Sequence, residues 1–190
     1  MNLSELVKTF SSTPFMFVGS GLSRRYMGLP TWQELLMSFS ARLSDDKFAF
    51  ESYRNEAKHI MTAGDQEMAI VAQLIEADYN AKWYKDPAFR SLDPSYHPFI
   101  KQGCSPFKAE VAQHIQHLSK INPSMSEEID LLRIITKHSL SGIITTNYDS
   151  LLEQIADSYT VYTGQDELLF SPLQNLAEIY KIHGSADNPI

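Results

Sequence analysis

Three short polar clusters carry the side chains best suited to chemistry: Gly19-Ser20-Gly21-Leu22-Ser23, Thr145-Thr146-Asn147-Tyr148-Asp149 and Lys181-Ile182-His183-Gly184-Ser185. Each follows an apolar run with the character of a strand, so each is expected at a strand's carboxyl end, the edge where open α/β sheets bind ligands. Taken singly, each has an ordinary explanation. Glycine turns join many strands to helices, Asn147 and Asp149 are common helix caps, and a histidine such as His183 is more often structural than catalytic. Arg24 and Arg25, beside the glycines, suit a phosphate group better than a nucleic-acid duplex. Other chemistries fit less well. Glu110, His114 and His117 share one predicted helix face, but their spacing matches no metalloprotease pattern, and a solvated face explains them. Gly21-Leu22-Ser23-Arg24-Arg25 lacks the second glycine of a serine-hydrolase elbow, and Arg24 occupies the last glycine position of a dinucleotide-binding fingerprint.

The elements that must position these clusters are legible from periodicity. Residues 2–10 read as a short helix, and after Pro14 the run Phe15-Met16-Phe17-Val18 reads as a buried strand. A glycine turn and a loop follow, and a helix begins at Thr31, where Thr31 and Glu34 have capping-box spacing. Residues 45–138 are mostly helical in character, interrupted between Pro87 and Pro106 by an ordered loop rich in proline and aromatic residues. Gly142 to Thr146 restores the strand signal, and a helix follows from about Ser150, with Ser150 and Glu153 at capping-box spacing. Further strands are expected from Tyr159 to Tyr162 and from Glu178 to Ile182. Strands separated by helices predict an α/β fold: a Rossmann-like parallel sheet flanked by helices, with a large helical insertion between the first strand-helix unit and the second.

Composition narrows the classes. The chain has 190 residues with 43% hydrophobic positions, enough for a real core, and is expected to form one domain with residues 45–138 inserted in it. A net charge of −7 argues against nucleic acid and anionic membranes as partners. A single cysteine, Cys104, and an N-terminus with neither a cationic leader nor a long apolar stretch predict a reducing, cytoplasmic setting. No window approaches the roughly 20 apolar residues of a bilayer span.

In combination and in this order, FVGSGLS, GLPTWQELL, TTNYD and KIHGS resemble the signature series of the sirtuin-like NAD-consuming domains, particularly the bacterial branch of anti-phage defence proteins. The resemblance runs from about residue 14 to 185, although the helical region between carries no recognisable match. It implies NAD as substrate. Gly19, Ser20 and Gly21 would let backbone N–H groups reach the pyrophosphate, with Ser23 adding a hydroxyl and Arg24 or Arg25 a cation. The loop of residues 24–32 would close over the dinucleotide. Asn147 matches the residue that contacts the nicotinamide ribose and the attacking water, beside Thr146, and Asp149 the one that holds the carboxamide. His183, followed by Gly184 and Ser185, matches the group that takes a proton from a ribose hydroxyl or from water. The resemblance also implies a homo-oligomer built through the helical regions. The position of His183 near the end of the sequence leads to the expectation of a C-terminal sensor domain or partner subunit.

Departures from the family's deacylases sharpen the expectation. One cysteine cannot supply the four thiolates of their zinc module, so no metal is expected. Thr31-Trp32-Gln33 replaces their Asp-Phe-Arg triplet, and Thr146 stands where they carry glutamine. The expected activity is NAD hydrolysis to nicotinamide and ADP-ribose, or a cyclised form, depleting NAD in anti-phage defence. Protein deacylation and non-catalytic sensing of NAD or ADP-ribose are the alternatives.

Overall fold

Short runs of apolar, aromatic and β-branched residues become the strands. The computed structural model describes residues 13–164 and 177–189, so the helix expected over residues 2–10 lies outside the described residues. The strands are β1 (Phe15–Val18), β2 (Gly142–Thr145), β3 (Thr160–Thr163) and β4 (Glu178–Lys181), in a four-stranded sheet of order β1-β2-β4-β3. Every pairing is parallel. The expected α/β architecture is present, with strand ends within a residue of expectation.

Alternation along the strands sorts the two faces. Met16, Ile143, Ile179 and Val161 lie in one register row and enter a core with Val18, Leu152 and Ala156. In the next row toward the carboxyl end on the same face, Val18 is followed by polar residues on the other strands, Thr145, Lys181 and Thr163. On the opposite face the Phe15, Tyr180 and Tyr162 rings form an aromatic cluster, with Tyr162 stacked on Tyr180. Gly142 is required by close approach, because a Cβ there would lie 2.5 Å from the Phe15 ring and 2.9 Å from the Glu178 carbonyl oxygen.

Eight α-helices are present among the described residues: α1 (Ser20–Met27), α2 (Trp32–Leu43), α3 (Ala49–Ile60), α4 (Glu67–Lys85), α5 (His97–Lys101), α6 (Pro106–Leu118), α7 (Ser126–Ser139) and α8 (Leu151–Ile155). The first departs from expectation. The segment after β1 folds as α1 from Ser20, so Arg24 and Arg25 lie on a helix and the loop before α2 is shorter than residues 24–32. Gly28 closes α1 in the left-handed conformation, its N–H donating to the Arg24 carbonyl. α2 begins as its sequence dictates, with Thr31 Oγ1 accepting from the Glu34 N–H and the Glu34 carboxylate accepting from the Thr31 N–H. The second expected capping box does not form, because the Ser150 side chain caps nothing and Glu153 pairs with Lys181 instead. The section from Pro87 to Pro106, expected as a loop, is organised as 3-10 turns at Pro87–Phe89 and Pro94–Tyr96 and as α5, the turns opened by Asp86 and Asp93 accepting from Ala88 and Ser95 N–H groups.

Two compact units divide the chain: Met1–Leu29 with Ile115–Asn188, and Pro30–His114 with Pro189–Ile190. The first, the sheet unit, holds the four strands, α1, α7 and α8. A second core there joins Tyr26, Met27 and Leu29 to Ile129, Leu151 and Ile155. The other, the helical unit, is centred on Phe39, Tyr79 and Phe107, whose rings meet edge-on with centroids 5.2 to 5.6 Å apart. Glu110 is 2% exposed there and accepts from Arg42 and from the Ser91 hydroxyl, so a solvated helix face, the explanation offered by the sequence, is wrong for it. Among the described residues no helix is long and apolar enough to cross a membrane.

Candidate functional site

All three polar clusters lie in the sheet unit at the carboxyl ends of adjacent strands, β1, β2 and β4. β1 stops at Val18 because Gly19 turns the chain directly into α1 as its N-terminal flanking residue. No side chain caps this end of α1, and its first turn holds no acidic residue. The positive end of the helix dipole and its free N–H groups are therefore open to an anion. Gly19, Ser20 and Gly21 are exposed, and a Cβ at either glycine would meet nothing within 4 Å. Packing does not demand these glycines. Their backbone is bare on the side that a ligand would approach, which fits a pyrophosphate.

The end of β2 is tied to the start of α1 by side chains. Thr145 Oγ1 donates to the Val18 carbonyl at 3.0 Å and accepts from the Asn147 N–H at 3.0 Å. Buried Asn147 then uses Nδ2 twice, donating to the Gly19 carbonyl at 3.0 Å and to Ser23 Oγ at 2.9 Å. A carbonyl can only accept, so the amide orientation is fixed by its partner. Both N–H donors are spent, leaving Oδ1, an acceptor, for a ligand. Ser23 lies under this contact, 2% exposed, and its hydroxyl accepts from Asn147. Thr146 is half-buried, with its N–H directed to the Val18 carbonyl at 3.4 Å.

Asp149 is buried, and its Oδ1 accepts from the Leu151 N–H at 3.0 Å, so one carboxylate oxygen starts α8 as a cap would. Tyr148 is 40% exposed, and desolvation pushes its phenol above the usual tyrosine range. Its carbonyl accepts from the Ala186 N–H at 2.8 Å, joining the second cluster to the third. The third cluster turns sharply after β4. Gly184 has φ 101°, a left-handed value natural to glycine. His183 is exposed in that turn, with no side-chain partner among the described residues. Ser185 is buried and accepts from the Asp187 N–H at 3.3 Å.

The glycine cluster and the Asn147 cluster are thus joined by direct bonds. The His183 cluster is joined to the latter through backbone contacts, and no hydrogen bond links His183 to Asn147 or Asp149 among the described residues. Arg24 sits exposed in the last turn of α1, away from the open N-terminus, and Arg25 is committed to Glu128 by two bonds of 2.9 and 2.7 Å. That guanidinium, with the Tyr26 hydroxyl, holds the Glu128 carboxyl below the usual glutamate range.

The sequence assigns no role to Lys181, the first residue of the third cluster. It is a buried cation whose Nζ reaches the Asp149 carbonyl at 2.8 Å, the Tyr148 carbonyl at 3.3 Å and Glu153 Oε1 at 2.6 Å. A strand's two-residue period places it on the same face as core residue Ile179, which was the signal available. Among the described residues no group of three or more His, Cys, Asp or Glu side chains is arranged to hold a metal ion.

Residues 141–189 match the family model for the SIR2-like domain. This segment carries β2, β4 and the second and third polar clusters, and for it the sirtuin-like resemblance is shown. The match points to NAD-related chemistry. No curated protein matches the chain.

Proposed function

We propose that this protein binds NAD at the carboxyl edge of its sheet and hydrolyses the nicotinamide–ribose bond, giving nicotinamide and ADP-ribose. The observation that carries this reading is the amide of Asn147, which spends both donors on Gly19 and Ser23 and so holds an acceptor oxygen beside an uncapped helix N-terminus. The N–H groups at Ser20 and Gly21 meet the pyrophosphate. Oδ1 of Asn147 accepts from a ribose hydroxyl or from the attacking water. His183 removes the proton that such a hydroxyl or water loses as nicotinamide departs. The free oxygen of Asp149 accepts from the nicotinamide carboxamide. Because the leaving group departs neutral from a cationic ring, placing water on the correct ribose face supplies much of the rate. The same reading carries depletion of cellular NAD as an anti-phage response, with self-association through the helical regions.

Incubating the protein, in whatever assembly it forms, with NAD and following nicotinamide by chromatography tests the proposal. Release independent of any acyl-lysine peptide is the expected result, reduced about a hundredfold or more in His183→Ala. Asn147→Ala should lose release to a comparable degree. Unaltered NAD after long incubation with the wild-type protein overturns the hydrolase reading, and saturable binding by calorimetry in that case identifies a sensor. Full activity in both variants overturns the residue roles.

A further inference from the structure

The side chain of Lys181 is 0% exposed, and an ammonium stripped of water costs several kcal/mol unless its donors are paired. Glu153 neutralises the charge, yet it takes only one of the three donors and leaves its own Oε2 buried without a partner among the described residues. The other two donors go to consecutive main-chain carbonyls, Tyr148 and Asp149, within the turn that carries Asn147. Lys181 pairs in register with Thr145, the residue from which that turn departs, and lies two positions before His183. One buried side chain therefore spans the second and third clusters.

We propose that Lys181 is a positioning residue, whose ammonium ties the Tyr148–Asp149 backbone to the end of β4 and so sets Asn147 and Asp149 relative to His183. Its effect on turnover rests on the NAD-cleaving reading, whereas its effect on the turn does not. Misplacing a bound reactant by about 1 Å costs up to a hundredfold in rate, so a loosened turn lowers kcat while the pyrophosphate cradle, untouched, keeps KM.

The experiment compares the wild-type chain with Lys181→Met, Lys181→Arg and the double variant Lys181→Met/Glu153→Gln. Removing only the cation leaves Glu153 as an uncompensated, partly buried charge, so the single methionine variant loses stability; the double variant removes both charges at similar volume and recovers it. Arginine keeps the charge and shifts its donors. Two readouts apply: exchange of the Leu151 and Ala186 amide hydrogens, which report the turn, and kcat and KM for NAD. In the double and arginine variants both amides should exchange about tenfold or more faster, while β2 and β4 amides keep their protection. Over the same variants kcat should fall about tenfold or more, with KM changed less than about threefold. Wild-type exchange at both amides, or acceleration spread evenly over the sheet unit, overturns the proposal, as does unchanged kcat in a catalytically active protein. If the wild-type chain releases no nicotinamide, the NAD reading fails and the exchange comparison alone decides the role of Lys181.

Discussion

Among the described residues each unit holds one cation–carboxylate pair with a fully enclosed partner, and the two pairs are sealed in opposite senses. In the sheet unit the cation is enclosed and the carboxylate half-open, with side-chain exposures of 0% for Lys181 and 24% for Glu153. In the helical unit the carboxylate is enclosed, 2% for Glu110, and Arg42 keeps 34% of its side chain in water. Lys181 spends its remaining donors on main-chain carbonyls, whereas Arg42 lies over the Phe39, Tyr79 and Phe89 rings at 5.3, 5.2 and 5.7 Å. A compact ammonium suits carbonyls converging on a point; a flat guanidinium suits aromatic faces. Buried charge in the sheet unit fixes backbone turns, and in the helical unit it completes a core.

This contrast can be broken by mutation. The largest effect is expected from Arg42→Met, which strands Glu110: a loss of about 3 kcal/mol, the low end for a buried pair because Arg42 is partly solvated. Denaturant unfolding measures it, and Arg42→Met/Glu110→Gln should recover most of the loss. Gly142→Ala strikes the sheet unit instead, since its Cβ would lie 2.9 Å from the Glu178 backbone oxygen, which cannot swing aside. About 2 kcal/mol is expected, with faster hydrogen exchange in β1 and β2 and little change around Phe39. Thr31→Ala removes the capping hydroxyl of α2 at a cost of about 1 kcal/mol, a fall of roughly 2–4 °C in melting temperature.

Smallest is the effect of pH on the exposed pairs, Arg25–Glu128 in the sheet unit and Arg54–Glu67 in the helical unit. Both carboxyls are held below their ordinary value by hydrogen bonds from arginine. A lowered folded-state pKa stabilises above the unfolded value, near 4.5, and the gain disappears as pH falls through the folded value. Glu128→Gln should therefore lower stability slightly near neutrality and flatten the acid side of the curve, so that variant and wild type converge as pH falls. Equal slopes for variant and wild type between pH 5 and 2 would remove this assignment.

Much of the fold was legible because apolar runs of strand length ended at polar clusters, as at Val18, Thr145 and Lys181. α1 was not legible. Gly19-Ser20-Gly21 has the composition of a turn, and nothing local reveals that the helix begins inside it, its start being stabilised by Asn147, 128 positions from Gly19. Glu153 and Glu110 escape local reading for a related reason, since local spacing suggests a cap or a solvated face while distant cations, Lys181 and Arg42, claim them. Within the site, residue types marked the three strand ends, but long-range hydrogen bonding decided how they were joined.

The amide of Asn147 has one more consequence. Having given both hydrogens to the protein, it can only receive one from a ligand, and it therefore asks for a donor, such as a hydroxyl, where a carbonyl or a bare methylene would find no bond. Under the proposed reading, a ribose hydroxyl or the attacking water meets that demand. Under that reading, the preference for a ligand that donates originates in the stitch that binds two strand ends together, well before any side chain touches a base.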